Sequence, residues 1–285
     1  MRLPIHYKKD GERMPVLKSL IRRADHLFHG CLDENIFFLH IPKCGGTSVN
    51  SAIRWRYPIK DRHRLVSLDP VASSNVVKII EQTDYPHNAT DDYPILKLRE
   101  NLLLYFMSRK NMKYIAGHFA FSETAYREFC GKYAFITVLR DPFKRWISAY
   151  FFNMYKSDHR RVEADITTYL QSHFGQSQGY EYVKFLGGAD KAGDYTSKRA
   201  IERAKKNLHK FDIVGCLEYR EIFLKQFEDR FGVRLKLEKR NPNPTSESHR
   251  GSIVTEEIEE NIRAICRPDY EIYQHAIDHF VKPSH

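Results

Sequence analysis

Short apolar runs separated by helical apolar spacings predict alternating strands and helices. Residues 36–39 (IFFL) and 134–139 (AFITVL) are uninterrupted, β-rich and bounded by polar residues, which reads as two buried strands. Residues 211–217 read as a third strand, and 114–116 as a shorter one ending at Gly117. Helical spacing recurs over 14–28, 47–55, 75–81, 96–107, 123–129, 198–208 and 221–231. Gly131 and Gly232 close two of these. A helix over 255–266 opens with an acidic turn that suits its dipole; Pro268 interrupts the pattern, and a last helix runs to about 280. Asp141-Pro142 reads as a helix start, with Asp capping and Pro at the first position. Residues 160–200 fit no period, and 241–251 (NPNPTSESHRG) read as a loop.

Strands alternating with helices imply one α/β domain, a mostly parallel sheet covered by helices on both faces. No repeat or low-complexity linker divides the chain, so residues 1–285 are expected to form a single domain with a helical N-terminal extension over 1–34. Ligands of such sheets bind beyond the carboxyl ends of the strands. Three polar segments fall at those ends.

The first is HIPKCGGTS, residues 40–48. A glycine turn between strand and helix leaves backbone N–H groups facing outward at a positive dipole end. Gly45 and Gly46 allow close approach, Thr47 and Ser48 add hydroxyls, and Lys43 adds a point charge. The order differs from GxxxxGK[ST], in which lysine follows the glycines. Composition alone leaves an ordinary turn with a solvated lysine open. The second is RDPFKRWISAY, residues 140–150. Arg140 offers a planar fork suited to phosphate, and Asp141, Arg145 and Ser148 share a helix face. A capped helix with an internal Asp141–Arg145 pair is the plainer alternative. Trp146, Tyr150 and Phe151 read as core or groove wall.

Together these segments resemble the sulfotransferases that use 3′-phosphoadenosine 5′-phosphosulfate (PAPS). HIPKCGGTS looks like their 5′-phosphosulfate loop, and RDPFKRWISAY like their 3′-phosphate segment, RDPxxRxxSxY. Their separation of about a hundred residues also fits. The HIPK form is similar to the family that includes heparan sulfate 2-O-sulfotransferase. The resemblance implies a P-loop-NTPase-like fold. It also implies donor contacts from Lys43, Cys44, Gly45, Gly46, Thr47, Ser48, Arg140 and Ser148. In YIAGHFAF, residues 114–121, it makes His118 the base that takes the acceptor's proton. Relatives with an HxH element carry a second histidine where this chain has Ala116. The late loop SESHRGS resembles, more loosely, a loop that closes on the 3′-phosphate, with Arg250 first among its candidates.

Composition narrows the rest. The chain has 285 residues, 42% of them hydrophobic, enough for a sizeable core. A net charge of +10 suggests an anionic partner, for which a phosphorylated co-substrate serves. No apolar run approaches a membrane span and no apolar leader opens the chain, so a cytoplasmic location is expected. Five dispersed cysteines without a CxxC read as free thiols, and no metal-ligand set is evident. The expected partners are the nucleotide co-substrate and a glycan, lipid or metabolite acceptor, with 58–94 and 155–200 on the acceptor side. A nucleotide-dependent kinase is the rival enzyme, disfavoured by the lysine order and by a lone Glu218 after the third strand. A basic module for nucleic acid or sulfated glycan is the non-enzyme rival, disfavoured because the basic residues are dispersed, so no nucleic acid is expected.

Overall fold

The computed structural model describes residues 22, 25–82, 92–155, 161–238 and 253–282. Five parallel strands form one sheet in the order β2-β3-β1-β4-β5. They are β1 (Ile36–Leu39), β2 (Leu65–Ser67), β3 (Tyr114–Gly117), β4 (Ala134–Leu139) and β5 (Ile213–Cys216). The helices, in chain order, begin with α1 (Gly46–Arg56), α2 (Pro70–Glu81), α3 (Tyr93–Ser108), α4 (Glu123–Phe129) and α5 (Pro142–Met154). Next come α6 (Ile166–Gln171), α7 (His173–Ser177), α8 (Glu181–Gly187) and α9 (Lys198–Leu208). Then follow α10 (Arg220–Phe231), α11 (Glu256–Ile265) and α12 (Arg267–Ala276). This is the P-loop-like α/β arrangement.

Strands β1, β3, β4 and β5 are buried throughout because both faces of the sheet are covered there. Alternate side chains divide between two cores. Phe37 and Leu39 join Ile115, Phe135 and Val214 against α3, α8, α9 and α12. Ile36 and Phe38 join Tyr114, Ile136 and Ile213 against α1 and α10. The central strand β1 lies between β3 and β4. From β1 the chain runs to the β2–β3 side, and from β4 to β5, so the β1/β4 boundary is a topological switch point where ligands of this sheet type bind.

Several expected elements differ in extent. The helix expected over 75–81 starts at Pro70, because the Asp69 carboxylate accepts the N–H groups of Val71 (2.8 Å) and Ala72 (3.0 Å). β2 was not expected: two half-exposed residues and an exposed serine on a sheet edge carry no burial signal. Residues 160–200 hold α6, α7 and α8, each too short to display a period. The interruption expected at Pro268 is found: α11 ends at Ile265, and Pro268 lies in the first turn of α12. Of the helix expected over 14–28, the structure describes a helical stretch at 25–29. Among the described residues, no helix is long and apolar enough to cross a membrane.

Candidate active site

Register fixes the first contacts. Leu39 pairs with Gly117 on one side and Thr137 on the other, so the residues that leave β1 and β3 together are His40 and His118. Their rings lie 4.5 Å apart between centroids. The His118 Nδ1 is 2.6 Å from the His40 carbonyl oxygen. A carbonyl can only accept, so Nδ1 carries the proton and Nε2 presents a lone pair. Arg99 fixes the other side of this turn. Its Nη1 donates to the His118 carbonyl (3.1 Å), while its Nε and Nη2 reach Ser73 Oγ (3.2 Å) and the Pro70 carbonyl (3.4 Å). His40 titrates well below the ordinary range, through burial first and then the neighbouring His118 and Lys43. It therefore stays neutral beside the candidate base.

The loop after β1 is an anion cradle in its backbone geometry. Lys43 and Gly45 both have positive φ, 66° and 72°. For lysine the left-handed region costs roughly 1–2 kcal/mol, a strain more often found at functional turns than elsewhere. Gly45 sits at the N-cap of α1 with no side-chain cap, and no acidic residue lies in the first turn. The leading N–H groups of α1 thus face outward without a competing carboxylate. Gly46 has no room for a side chain: a Cβ there would lie 1.9 Å from His40 Cδ2. The Lys43 ammonium rests over the Phe152 ring, 3.4 Å from its centroid. Cys44 is buried against the Tyr182 hydroxyl (3.5 Å), and burial pushes its thiol up to about 12. It is packing, not a nucleophile. Thr47 is exposed and Ser48 half-buried at the start of α1. A cleft of about 700 Å³ beside α1 is lined by Ser48, Ser51, Trp55, Arg62 and Lys236 among others.

The β4–α5 junction lies against this loop. Arg140 Nη1 donates to the Lys43 carbonyl (3.1 Å). Its Nε is buried without a hydrogen-bond partner, a donor whose desolvation nothing in the protein offsets. An anion held between loop and guanidinium would satisfy it, so these residues fit a phosphorylated ligand. Asp141 caps its own helix by accepting the Lys144 N–H (2.9 Å) and takes a hydrogen bond from the Tyr270 hydroxyl (3.3 Å). Glu218, after β5, accepts the Asp141 N–H (3.0 Å) and the Tyr273 hydroxyl (2.9 Å), which makes it a brace. Ser148 is half-buried two turns along α5, roughly 9 Å along the helix axis from its first residue.

The Asp141–Arg145 pair of the plainer alternative is not among the contacts of either residue, although the helix is capped as that reading had it. Arg145 is fully buried and turns the other way, donating to the Gln178 side chain (3.1 Å) and main-chain carbonyl, with its Nε 4.0 Å from Asp269. Asp141 is committed to its cap, so the i, i+4 neighbour finds its partners in the core. Trp146, Tyr150 and Phe151 are core residues as expected. Arg250 lies outside the described residues, as do Lys239 and Arg240. Sequence reasoning missed Arg99, Phe152 and Tyr182. The apolar cluster around Tyr182 (YVKFL) marks a buried segment, but nothing local says what it touches.

Comparison with known proteins gives the family. The profile described as "Sulfotransferase family" matches residues 28–276. Heparan sulfate 2-O-sulfotransferase 1 of Gallus gallus is 24% identical over 211 residues, 69% of this chain and 54% of that protein. The chain thus spans about half the length of this curated relative.

Proposed function

The chain belongs to the sulfotransferase family, and from that premise we propose that it moves a sulfuryl group from PAPS to a hydroxyl of a carbohydrate or small-molecule acceptor. One observation carries the reading: Arg140 grips the Lys43 carbonyl while keeping a buried, unpartnered Nε. Two cationic strand ends therefore meet beside an uncapped helix N-terminus, which suits a ligand phosphorylated at two positions. PAPS supplies an activated sulfuryl group: the sulfur–oxygen bond to the acceptor forms as that to the phosphate breaks.

Within this reading His118 takes the acceptor's proton at Nε2, the nitrogen left unprotonated by its bond to the His40 carbonyl. Lys43 and the first N–H groups of α1 stabilise charge on the departing phosphate oxygen. Arg140 and Ser148 hold the 3′-phosphate, and Cys44 to Ser48 line the 5′ side. The carbohydrate class of acceptor is supported by the printed name of the chicken relative, an enzyme of heparan sulfate.

Two measurements test it. In calorimetry, 3′-phosphoadenosine 5′-phosphate (PAP) should bind far more tightly than ATP or 5′-AMP; equal affinity for ATP removes PAPS as donor. Radiolabelled PAPS offered with a panel of acceptors should then label one class. On that acceptor His118→Ala should lose about 10²–10⁴-fold in turnover, with PAP affinity and melting temperature retained. A folded variant with near-normal turnover would take the base role away from His118.

A further inference from the structure

The two donor-side junctions come from different strands, yet they must hold one spacing to grip one nucleotide. Tyr182, on α8, stands where they meet. Its side chain is wholly buried. The hydroxyl accepts the Arg140 N–H (3.0 Å) and donates to the Arg140 carbonyl. Its third neighbour is Cys44 Sγ at 3.5 Å, in the loop after β1. One oxygen thus touches the residue after Lys43 and both backbone groups of the arginine.

Arg140 needs such a partner. β4 ends at Leu139, so the next peptide groups leave the ladder, and buried backbone donors and acceptors must be matched. A phenol carries one donor and acceptor lone pairs on a rigid ring, so it serves both groups at a fixed position. Burial raises its pKa well above the ordinary value, which keeps the donor proton in place.

The tyrosine is itself anchored. Asp269, fully buried on α12, accepts the N–H groups of Tyr182 (2.8 Å) and Val183 (3.3 Å) through Oδ1. The Arg145 guanidinium lies beside the same carboxylate and centres 5.8 Å from the Tyr182 ring. α5, α8 and α12 therefore converge on a strut whose far end is the Tyr182 hydroxyl, bonded to Arg140.

We propose that Tyr182 is a positioning residue that sets the spacing of the two phosphate sites, and with it the preference for a nucleotide phosphorylated at both the 3′ and 5′ positions. This rests on the donor reading above. It predicts coupling: Tyr182 acts through Arg140, so the two residues are not independent.

The test is a double-mutant cycle with PAP and 5′-AMP as ligands, followed by calorimetry and melting temperature. Tyr182→Phe should weaken PAP about tenfold, the scale of lost hydrogen bonds, and weaken 5′-AMP much less. On an Arg140→Ala background the same change should cost nothing further in PAP affinity. A purely structural role would instead lower the melting temperature and weaken both ligands alike, on either background. If the wild type does not prefer PAP, the donor reading falls and the inference with it. If wild type and Arg140→Ala behave as expected but Tyr182→Phe binds PAP normally, or adds its full loss to Arg140→Ala, the inference alone is overturned. Should Tyr182→Phe fail to fold, Asp269→Asn loosens the anchor while leaving the hydroxyl. It should lower the PAP preference in the same direction, and an undiminished preference there overturns the proposal.

Discussion

The β1–α1 and β4–α5 junctions are the same supersecondary unit, a parallel strand turning into a helix, and they present positive charge by different physics. At the first, no side chain caps the helix, two residues adopt positive φ, and glycine clears the approach. The positive field there is carried by backbone and dipole, with one lysine added. At the second, Asp141 and Pro142 satisfy the helix start from within. There the charge comes from side chains, Arg140 foremost. A helix N-terminus is a binding site only where its own sequence leaves it uncapped. The expected division of labour is stabilisation of developing charge at the first junction and ground-state grip at the second.

The sharpest way to break that comparison is Lys43→Ala. Turnover should fall about 10²–10³-fold, as when a preorganised donor to a developing oxyanion is removed, while PAP affinity changes little. Separate titration of PAP and measurement of kcat decides it; a loss confined to KM would make Lys43 a ground-state contact. Arg140→Ala should show the reverse pattern. A charge-assisted bond worth roughly 1.5–3 kcal/mol corresponds to about 10–150-fold in donor affinity, with kcat at saturation far less affected.

Asp141→Ala probes the second junction's self-sufficiency. Loss of the cap should cost about 1 kcal/mol and lower the melting temperature by a few degrees. Its effect on PAP binding should be smaller than that of Arg140→Ala. The smallest effect is a pH dependence at the first junction. The folded-state pKa of His40 is depressed by burial, so the unfolded chain binds its proton first as pH falls. Stability from this group is full above the unfolded pKa of about 6.5 and declines as pH drops below it. Melting curves at pH 7.5 and 5.5 should therefore diverge more for the wild type than for His40→Gln.

What was legible in the chain was local. The runs 36–39 and 134–139 became strands with those bounds, and the two junctions lie side by side as the motifs implied. Their signals are fixed spacings within a dozen residues. The supports were not legible, because their partners are distant: Tyr182 meets Arg140 across 42 positions, and Asp269 meets Tyr182 across 87. Nothing in a single sequence links such pairs. Arg145 shows the converse, since a local partner was present, yet the helix cap claimed Asp141 and tertiary packing claimed Arg145.

Gly45 and Gly46 look interchangeable on paper, yet they are constrained on different grounds. Gly45 is held by its backbone angle, which asparagine tolerates better than other residues. Gly46 is held by another side chain, because its missing Cβ is the space occupied by the His40 ring. Positions 40 and 46 therefore form one unit of inheritance: alanine at 46 is expected only in chains whose residue 40 has become smaller. A library that varies 46 alone should return glycine, whereas one that varies 40 and 46 together should return correlated pairs.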